Sequence, residues 1–389
     1  MRQRSSETAA HDIPAEELAR RLDRGERLQL LDVRSPASVA RGHITFGINL
    51  DFHTLPASQI ERLPSLDALG LDPHREVLVV CGHGNSSRRT AALLRQQGLD
   101  AHSVAGGLAA WDAVYIPRSL SSTRTIEHVV QIDRVGKGAL SYVLASDGDA
   151  VIVDPGRHLE RYDAVLNGIG ATPAAVIDTH MHADYASGAR AAARRWSVPY
   201  FLHPDDARSP FDGADGRFEY QPLTPGDTIA FGRATLRAEH VPGHTLGSIA
   251  LLAEQDLALT GDFLFVRSVG RPDLGGARDA WARLLWQSLE AVRRRWPADL
   301  LVLPAHYASE SERRPDRTVG ARFDVIRETN AAAAIGHEAT FLRWLAEHDA
   351  APPEVYRTLK LLNLGLLDLA EGELESAEAG PNQCAVGVG

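Results

Sequence analysis

The stretch Thr179-His180-Met181-His182-Ala183-Asp184-Tyr185 carries the pattern on which the prediction of the fold depends. It places two imidazoles and a carboxylate close together, directly after the apolar, strand-like run 174–177. In a short loop after a strand, His180 and His182 can both turn toward one point, and Asp184 reaches the same pocket. An isolated pair of histidines is far more often an ordinary surface or core pair. The metal interpretation therefore depends on further ligands downstream.

Three further candidate ligands follow apolar runs in the same way. They are His244 in Pro-Gly-His-Thr after the run 234–240, Asp262 after the run 257–260, and His306 after the run 300–303. Unrelated histidines would be scattered over helix faces and strand middles. The repeated placement after strand-like runs therefore predicts a metal centre built from several loops.

A second motif with its own chemistry lies nearer the N terminus. The apolar run 77–80 leads into a small-residue loop headed by Cys81, and a helix is predicted over 89–97. Successive backbone N–H groups of such a loop can point inward, and the helix N terminus adds its positive dipole end. We predict an anion cradle formed by Gly82, His83, Gly84, Asn85, Ser86 and Ser87. Cys81 should then be a thiolate nucleophile with a lowered pKa; the alternative is an inert, buried cysteine at a strand end.

Composition excludes several classes of protein. A chain of 389 residues exceeds the usual single core, so two domains are expected. The net charge of -10, with Lys137 and Lys360 as the only lysines, argues against nucleic-acid binding. No apolar run approaches the roughly 18 residues of a membrane span, and the N terminus lacks the apolar core of a signal peptide. We therefore expect a cytoplasmic protein, in which Cys81 and Cys384 remain thiols.

The N-terminal motifs resemble those of the rhodanese family of sulfurtransferases. The resemblance rests on Leu31-Asp-Val-Arg34, Arg41-Gly-His-Ile44, the Cys81 loop and Gly106-Gly-Leu-Ala-Ala-Trp111. It implies a rhodanese-like α/β domain over 11–118, in which Cys81 carries sulfur as a persulfide and Arg88 helps to hold thiosulfate. We expect Asp32 and Arg34 to form a structural ion pair. A serine-rich linker is predicted at 119–124.

The downstream ligands resemble those of the metallo-β-lactamase fold, over about 125–310. The resemblance implies an α/β architecture, an αβ/βα sandwich with the metal at one edge of its two sheets, followed by a helical extension and tail at 311–389. Asp154 is expected to support the ligands. In dinuclear members of the fold the position of Tyr185 is typically a histidine. A phenol is a poor zinc ligand, since its reference pKa is about 10, so a second metal should bind weakly or not at all.

The segment Val269-Gly-Arg-Pro-Asp-Leu-Gly275 resembles the persulfide dioxygenase branch of that fold. In that branch a Gly-Arg-x-Asp motif, here containing Arg271 and Asp273, shapes the site; a plain salt bridge between the two residues is an equally good interpretation. The implied reaction uses O₂ to oxidise a low-molecular-weight persulfide, such as glutathione persulfide, to sulfite and thiol. One Fe(II) per chain would be bound by the facial triad of His180, His244 and Asp262. The residues around it, or ligands of a second metal, would be His182, Asp184, Tyr185 and His306.

Two other functions stay open at this stage, because ligand identity alone does not separate iron from zinc. One is a zinc-dependent thioester hydrolase of glyoxalase II type, in which His182 and Asp184 bind metal; Tyr185 disfavours it. The other is a non-enzymatic persulfide sensor or sulfur carrier with a structural metal. The open ligand set argues against that function, since structural zinc sites are closed and thiolate-rich.

The C-terminal end holds the second cysteine. Cys384 lies in the glycine-rich segment 380–389, which is expected to be frayed. In a chain that handles persulfide sulfur, this thiol is a candidate sulfur relay, docked near the metal or near Cys81. The sequence does not decide the oligomeric state, for which a homodimer is one candidate.

Overall fold

The computed structural model describes residues 12–44, 46–47, 49–60, 69–348 and 350–387, which group into two compact units. The first unit contains the chain up to Ile116 together with Arg134–Lys137 and Ala379–Pro381. The second contains Pro117–Asp133, Gly138–Glu378 and the chain from Asn382 onward. Residue 11 of the predicted first domain and residues 388–389 of the predicted tail lie outside the described residues. No helix in the described ranges is long and apolar enough to cross a membrane.

The first unit is built on a five-stranded parallel sheet with strand order β1-β5-β4-β2-β3. Its strands are β1 (Asp12–Ile13), β2 (Leu28–Asp32), β3 (Leu50–Thr54), β4 (Val77–Val80) and β5 (Ala101–Val104). The connecting helices are α1 (Ala15–Asp23), α2 (Pro36–Arg41), α3 (Ala57–Ile60), α4 (Asn85–Gln96) and α5 (Gly107–Asp112). The two central strands are completely buried, as parallel strands covered on both faces must be.

The second unit contains two sheets that share one hydrophobic core. The seven-stranded sheet has strands β6 (Tyr115–Leu120), β7 (His128–Arg134), β8 (Ala139–Ser146), β9 (Asp149–Val153), β10 (Thr172–Ile177), β11 (Tyr200–Leu202) and β12 (Gln221–Pro222). The six-stranded sheet has β13 (Thr228–Phe231), β14 (Ala234–His240), β15 (Ile249–Ala253), β16 (Leu257–Gly261), β17 (Leu301–Pro304) and β18 (Ala321–Arg322). Inward side chains from both sheets, such as Val151 and Leu251, are fully buried in this core.

Helices cover the outer faces of the sandwich. They are α6 (Leu159–Ile169), α7 (Ala189–Trp196), α8 (Arg278–Arg295), α9 (Phe323–Thr329), α10 (Glu338–Glu347), α11 (Val355–Asn363) and α12 (Glu371–Glu378). A second apolar cluster joins α8, α9 and α10 to the outer face of the six-stranded sheet, for example through Leu285 and Leu252. The predicted αβ/βα sandwich and helical extension are thus confirmed.

The structure differs from the sequence predictions at three places. Helix α4 begins at Asn85 rather than at residue 89, because Gly84, with φ of 86°, turns the chain directly into the helix. Ser119 and Leu120 of the predicted linker belong to β6. The described part of the tail is not frayed: Ala385 forms a bridge with Gly270.

Gly107 allows the segment that contains it to pack closely against the Cys81 loop. Gly107 has φ of 61°, and a Cβ at this position would lie 2.3 Å from the Cys81 carbonyl oxygen and 2.8 Å from Gly84 N. The backbone N–H of Leu108 donates to that carbonyl at 2.8 Å. Only glycine allows this close approach between the two segments.

We expect Gly107→Ala to displace the loop and to lower the free energy of unfolding by clearly more than Gly98→Ala. Gly98 has a similar left-handed φ of 91°, but nothing lies within 4 Å of an added Cβ. The control should therefore cost only the backbone strain, about 1–2 kcal/mol. Chemical denaturation of both variants measures the difference. Equal costs would contradict a steric role for Gly107.

Candidate metal centre and cysteine loop

Loops that follow four strands of the sandwich bring the predicted ligands together. His180, His182 and Asp184 follow β10, His244 follows β14, Asp262 follows β16, and His306 follows β17. All six side chains are buried. The strands therefore place ionisable groups from distant parts of the sequence inside one closed region.

The first cluster consists of His180, His244 and Asp262, with one ligand atom from each lying within 4.8 Å of the others. Asp262 Oδ2 lies 3.6 Å from His180 Nε2 and 3.4 Å from His244 Nε2. None of these three buried atoms makes a hydrogen bond within the described part of the chain. Buried polar atoms without partners are rare and costly. Their convergence fits a cation bound by two imidazoles and one carboxylate.

Hydrogen bonds on the far side of each ring orient the two histidines. His244 Nδ1 lies 3.0 Å from the Arg271 carbonyl oxygen, which can only accept, so Nδ1 carries the proton and Nε2 faces the cluster. His180 Nδ1 lies 3.0 Å from Thr179 Oγ1. Asp154 accepts hydrogen bonds from Thr179 N at 2.7 Å and from Thr179 Oγ1 at 2.8 Å. Asp154 therefore acts through its neighbours, which is the supporting role expected for it.

Electrostatics keep the imidazoles of the first cluster neutral. Burial lowers the pKa of His244 to about 4, against the opposing effect of Asp262. Burial and the neighbouring histidines lower the pKa of His180 well below its usual value. Burial raises the pKa of Asp262, but the nearby His306 imidazole outweighs this effect and holds it below its usual value. Two neutral imidazoles and one carboxylate are the forms that bind a metal ion.

A second cluster adjoins the first and contains Asp184, His306 and Cys384, again with ligand atoms within 4.8 Å of one another. His306 Nδ1 lies 2.6 Å from Asp262 Oδ1, and its Nε2 lies 3.0 Å from Asp184 Oδ2. Burial lowers the pKa of His306, but the two carboxylates raise it to about 10. The candidate relay cysteine thus lies beside the candidate metal ligands Asp184 and His306.

Tyr185 directs its hydroxyl to His182, and its ring also lies edge-on to His306 of the second cluster, with centroids 6.1 Å apart. Its hydroxyl lies 3.0 Å from His182 Nε2, and the two rings stack with centroids 4.4 Å apart. His182 Nε2 also lies 3.2 Å from Asp154 Oδ1, while Nδ1 is buried and makes no hydrogen bond to any described residue. Burial lowers the pKa of His182, yet Asp154 and Asp178 raise it well above its usual value. The tyrosine therefore fixes the orientation of His182.

Arg271 and Asp273 lie behind the metal centre. The Arg271 guanidinium forms a two-bond salt bridge with Asp273, with both N–O distances at 2.7 Å. It also donates to the Gln383 carbonyl at 3.1 Å, and its backbone N–H donates to the Cys384 carbonyl at 2.9 Å. The same arginine therefore forms the salt bridge, contacts the tail and, through its carbonyl oxygen, accepts a hydrogen bond from His244.

In the first unit, Cys81 heads the predicted cradle at the N terminus of α4. Gly84 N donates to Cys81 Sγ at 3.1 Å, and the Ser87 hydroxyl lies 3.3 Å from the same sulfur. Burial raises the pKa of Cys81, but hydrogen bonds from Ser86, Ser87 and the backbone of His83 outweigh it and lower the pKa below its usual value. This is the direction that the loop sequence predicts.

Two arginines near this loop have different surroundings. Arg34 forms the expected ion pair with Asp32, at 2.6 Å, in which Asp32 is buried and Arg34 partly buried. Arg88, predicted to help hold thiosulfate, pairs with Asp12 at 2.7 Å while remaining partly exposed. The hydrogen bond and charge of Asp12 raise the pKa of Arg88, and the Cys81 sulfur adds a smaller effect in the same direction.

Comparison with known families divides the chain in the same way. Residues 14–114 match the model of the rhodanese-like domain, and residues 135–307 match that of the metallo-beta-lactamase superfamily. The chain thus contains one domain of each family. It is a rhodanese–metallo-β-lactamase fusion, and the resemblance drawn from its motifs is confirmed.

Three similar proteins each match part of the chain. An uncharacterised protein of Mycobacterium leprae is 34% identical over 189 residues, which span 42% of this chain and 84% of that protein. A hydroxyacylglutathione hydrolase of Anaeromyxobacter dehalogenans is 38% identical over 145 residues (37% of this chain, 52% of that protein). The mitochondrial persulfide dioxygenase of Mus musculus is 31% identical over 162 residues (41% of this chain, 59% of that protein).

Solved structures show the same fold. A metallo-beta-lactamase from Staphylococcus aureus superposes with a TM-score of 0.53 at 26% identity, covering 62% of the fusion protein and 73% of that chain. ETHE1 from Myxococcus xanthus superposes with a TM-score of 0.51 at 22% identity, covering 61% of the fusion protein and 99% of that chain. This similarity supports the fold alone.

Sequence reasoning missed the residues that tie the ligand loops together. Asp206 accepts hydrogen bonds from Met181 N and Thr245 Oγ1, both at 2.7 Å, so one carboxylate joins the His180 loop to the His244 loop. Asn363, at the end of α11, donates to the carbonyls of His182 at 3.0 Å and Tyr185 at 2.8 Å. Neither residue belongs to a motif, so no local sequence signal identified them.

We expect Asn363→Ala to lower the free energy of unfolding by about 1–3 kcal/mol, because it leaves buried carbonyl groups without donors. Metal affinity should fall by roughly 10- to 100-fold, since Asn363 positions the loop that carries the ligands. Asn167→Ala, at an exposed position of α6, is the control. Denaturation and metal titration measure both effects. Unchanged metal affinity in Asn363→Ala would show that the loop holds its shape without α11.

We also expect Cys81 to be alkylated at a pH below that of an ordinary thiol. Its lowered pKa means that the thiolate persists as pH falls, and the reactivity should be lost only below the folded pKa. Ser87→Ala removes one stabilising hydrogen bond and should shift the profile to higher pH. Peptide mapping after iodoacetamide treatment distinguishes Cys81 from Cys384. An unshifted profile in Ser87→Ala would contradict this role of the hydroxyl.

Proposed function

We propose that the fusion protein is a persulfide dioxygenase whose rhodanese-like domain carries sulfane sulfur on Cys81. The observation that carries the proposal is the convergence of His180 Nε2, His244 Nε2 and Asp262 Oδ2, three buried atoms without hydrogen bonds in the described part of the chain. A facial set of this kind leaves adjacent coordination positions free for O₂ and a substrate. The similarity to the mouse persulfide dioxygenase supports this choice among metallo-β-lactamase chemistries.

The proposed reaction breaks the sulfur–sulfur bond of a low-molecular-weight persulfide such as glutathione persulfide. One persulfide, one O₂ and one water give one thiol, one sulfite and two protons. The outer sulfur is oxidised, O₂ is reduced, and the inner sulfur leaves as the thiol. When bound by His180, His244 and Asp262, Fe(II) supplies the redox chemistry that joins O₂ to the sulfur.

Side chains near the proposed iron site would position the persulfide and supply a positive charge for it. Met181, Leu246, Trp281 and Lys360 line a cavity beside the ligand loops. The Lys360 side chain is buried, and its ammonium group lies over the Trp281 ring, 5.9 Å from the centroid. Burial lowers its pKa, and a buried cation here would attract an anionic persulfide. Holding the substrate beside O₂ in one orientation turns a collision between two freely diffusing molecules into a reaction between positioned groups, which lowers its entropic cost.

The Cys81 loop would provide the other half of the chemistry. The Cys81 thiolate takes the outer sulfur of thiosulfate, sulfite leaves, and a persulfide remains on Cys81. A thiol then attacks that outer sulfur, which yields a small persulfide and restores the thiolate. The loop N–H groups and the dipole of α4 support the sulfur anion. The products of one domain are thus the substrates of the other, which gives the fusion a chemical basis.

A second candidate function is hydrolysis of a glutathione thioester by a two-metal zinc site. It is favoured by the second cluster, Asp184 with His306 and Cys384, and by the similarity to a hydroxyacylglutathione hydrolase. Tyr185 weakens this candidate, because the phenol contacts His182 and stays protonated: burial raises its pKa well above the usual value.

The two activities should be separable by substitution. We expect Cys81→Ser to lose thiosulfate:cyanide sulfur transfer while retaining O₂ uptake on glutathione persulfide. His244→Ala should retain thiosulfate:cyanide sulfur transfer. Its O₂ uptake should fall by at least 10-fold, because the variant loses one of its proposed iron ligands. An oxygen electrode, a sulfite assay and a thioester cleavage assay measure these effects on the Fe(II)-loaded full chain. Loss of both activities in Cys81→Ser, or thioester cleavage without O₂ uptake in the parent, would refute the proposal.

A further inference from the structure

We propose that a cavity lined by Arg190, Arg194 and Arg217 binds a small phosphorylated ligand with a flat ring, of the mononucleotide class. We call it the arginine cavity. The inference goes beyond the proposed function, because the lining of this cavity contains none of the proposed metal ligands and no residue of the Cys81 loop. The site can therefore hold a ligand whatever reaction the metal centre catalyses.

The arginine cavity lies between α7, the chain around the start of β11, and the segment 217–221 that leads into β12. Its volume is about 440 Å³, which falls in the range of small-molecule binding sites. Backbone hydrogen bonds fix its walls. Val198 N donates to the Ala193 carbonyl at 3.0 Å, and Arg217 N donates to the Leu364 carbonyl at 2.8 Å. The cavity is thus a formed feature of the fold.

Three guanidinium groups meet at this cavity without a carboxylate partner. Arg190, Arg194 and Arg217 form no salt bridge with any residue in the described ranges. The neighbouring Arg195, by contrast, pairs with Asp163 at 2.5 Å. In a chain whose net charge is -10, such a local concentration of unpaired positive charge attracts an anion.

Arg190 is positioned by its surroundings. Its side chain is partly buried, its Nη2 donates to the Leu362 carbonyl at 2.9 Å, and its guanidinium carbon lies 5.4 Å from the centroid of the Phe218 ring. Burial lowers the pKa of Arg190, and the charge of Arg194 acts in the same direction. An anion bound between the two arginines would relieve their mutual repulsion.

The arginines favour phosphate among small anions. The planar guanidinium matches the geometry of a phosphate group and binds it through two parallel hydrogen bonds. A phosphate monoester carries a charge of about -1.5 to -2 at neutral pH, against one unit for a carboxylate. Of the residues that line the cavity, Glu219 is the acidic one, and it is exposed. It offsets one of three positive charges, so the lining keeps a net positive charge.

Aromatic side chains provide the surface for a flat ring. The Phe218 ring centroid lies 5.9 Å from that of Tyr200 and 5.7 Å from that of Tyr220, and all three rings line the cavity. The Tyr200 hydroxyl donates to Asp178 at 2.9 Å, so this residue offers its ring alone. Nucleobases stack on aromatic and guanidinium planes with little dependence on sequence. Phosphate-binding and ring-binding groups therefore lie in one cavity.

Isothermal titration calorimetry of the full chain with AMP tests the site. We expect one AMP to bind per chain in a manner that Arg217→Ala removes; restricting the comparison to this component leaves out anions held at the Cys81 loop. Adenosine and inorganic phosphate should each bind at least about 10-fold more weakly, because each lacks one half of the ligand. No binding of AMP, or equal binding of adenosine or phosphate in this component, would overturn the proposal.

Variants locate the binding. Arg217→Ala should weaken AMP binding by at least about 10-fold without affecting folding, because this exposed side chain makes no hydrogen bond to a described residue. Arg190→Ala should have a similar effect, and Arg190→Lys should restore part of the affinity. Arg195→Ala, on the same helix, is the matched control and should bind AMP like the parent chain.

Unchanged affinity in Arg217→Ala or Arg190→Ala, or an equal loss in Arg195→Ala, would contradict the proposed site. Circular dichroism of each variant shows whether a loss of binding reflects unfolding. The outcome is distinct from that of the proposed function, because O₂ uptake by the iron-loaded protein can fail while AMP still binds, and the reverse.

Discussion

The buried Asp262 carboxylate is the group on which the arrangement of the metallo-β-lactamase domain depends. It lies within 3.6 Å of nitrogen atoms from three histidines that come from three different loops. The preceding residue must be glycine, since Gly261 has φ of 52° and a Cβ there would lie 2.4 Å from Thr179 Oγ1. The end of β16 can therefore approach the His180 loop closely. A carboxylate in this position is costly to bury alone; the surrounding imidazoles offset that cost, and a cation bound among them would offset it further.

The parts of the chain outside the ligand loops serve mainly to keep those loops in place. Asp206 joins two of them, and Asn363 holds the His180 loop from α11. Glu378 of α12 accepts a hydrogen bond from Ala186 N at 2.8 Å and pairs with Arg157 at 2.7 Å. The C-terminal extension thus helps to hold the loops of the candidate metal centre in place. Preorganised ligands lose less entropy when the metal binds, which gives these remote contacts a direct effect on affinity.

The fold and most of the site could be predicted from sequence because their signals are local. Apolar runs that end in histidine or aspartate identify strand ends, and strand ends determine where His180, His244 and Asp262 meet. The contribution of the C terminus could not be predicted in this way. Asn363 contacts the carbonyl of His182 across 181 residues, and a glycine-rich tail carries no periodicity that shows where it docks. The sequence could not show that Cys384 lies beside Asp184 and His306.

Metal content after anaerobic purification, measured together with O₂ consumption on added glutathione persulfide, tests the central claim most directly. The account predicts iron at the site of His180, His244 and Asp262, with O₂ uptake and sulfite formation that rise in proportion to the iron content across preparations. Zinc in both clusters, with thioester cleavage and no O₂ uptake even after iron is restored, would contradict it.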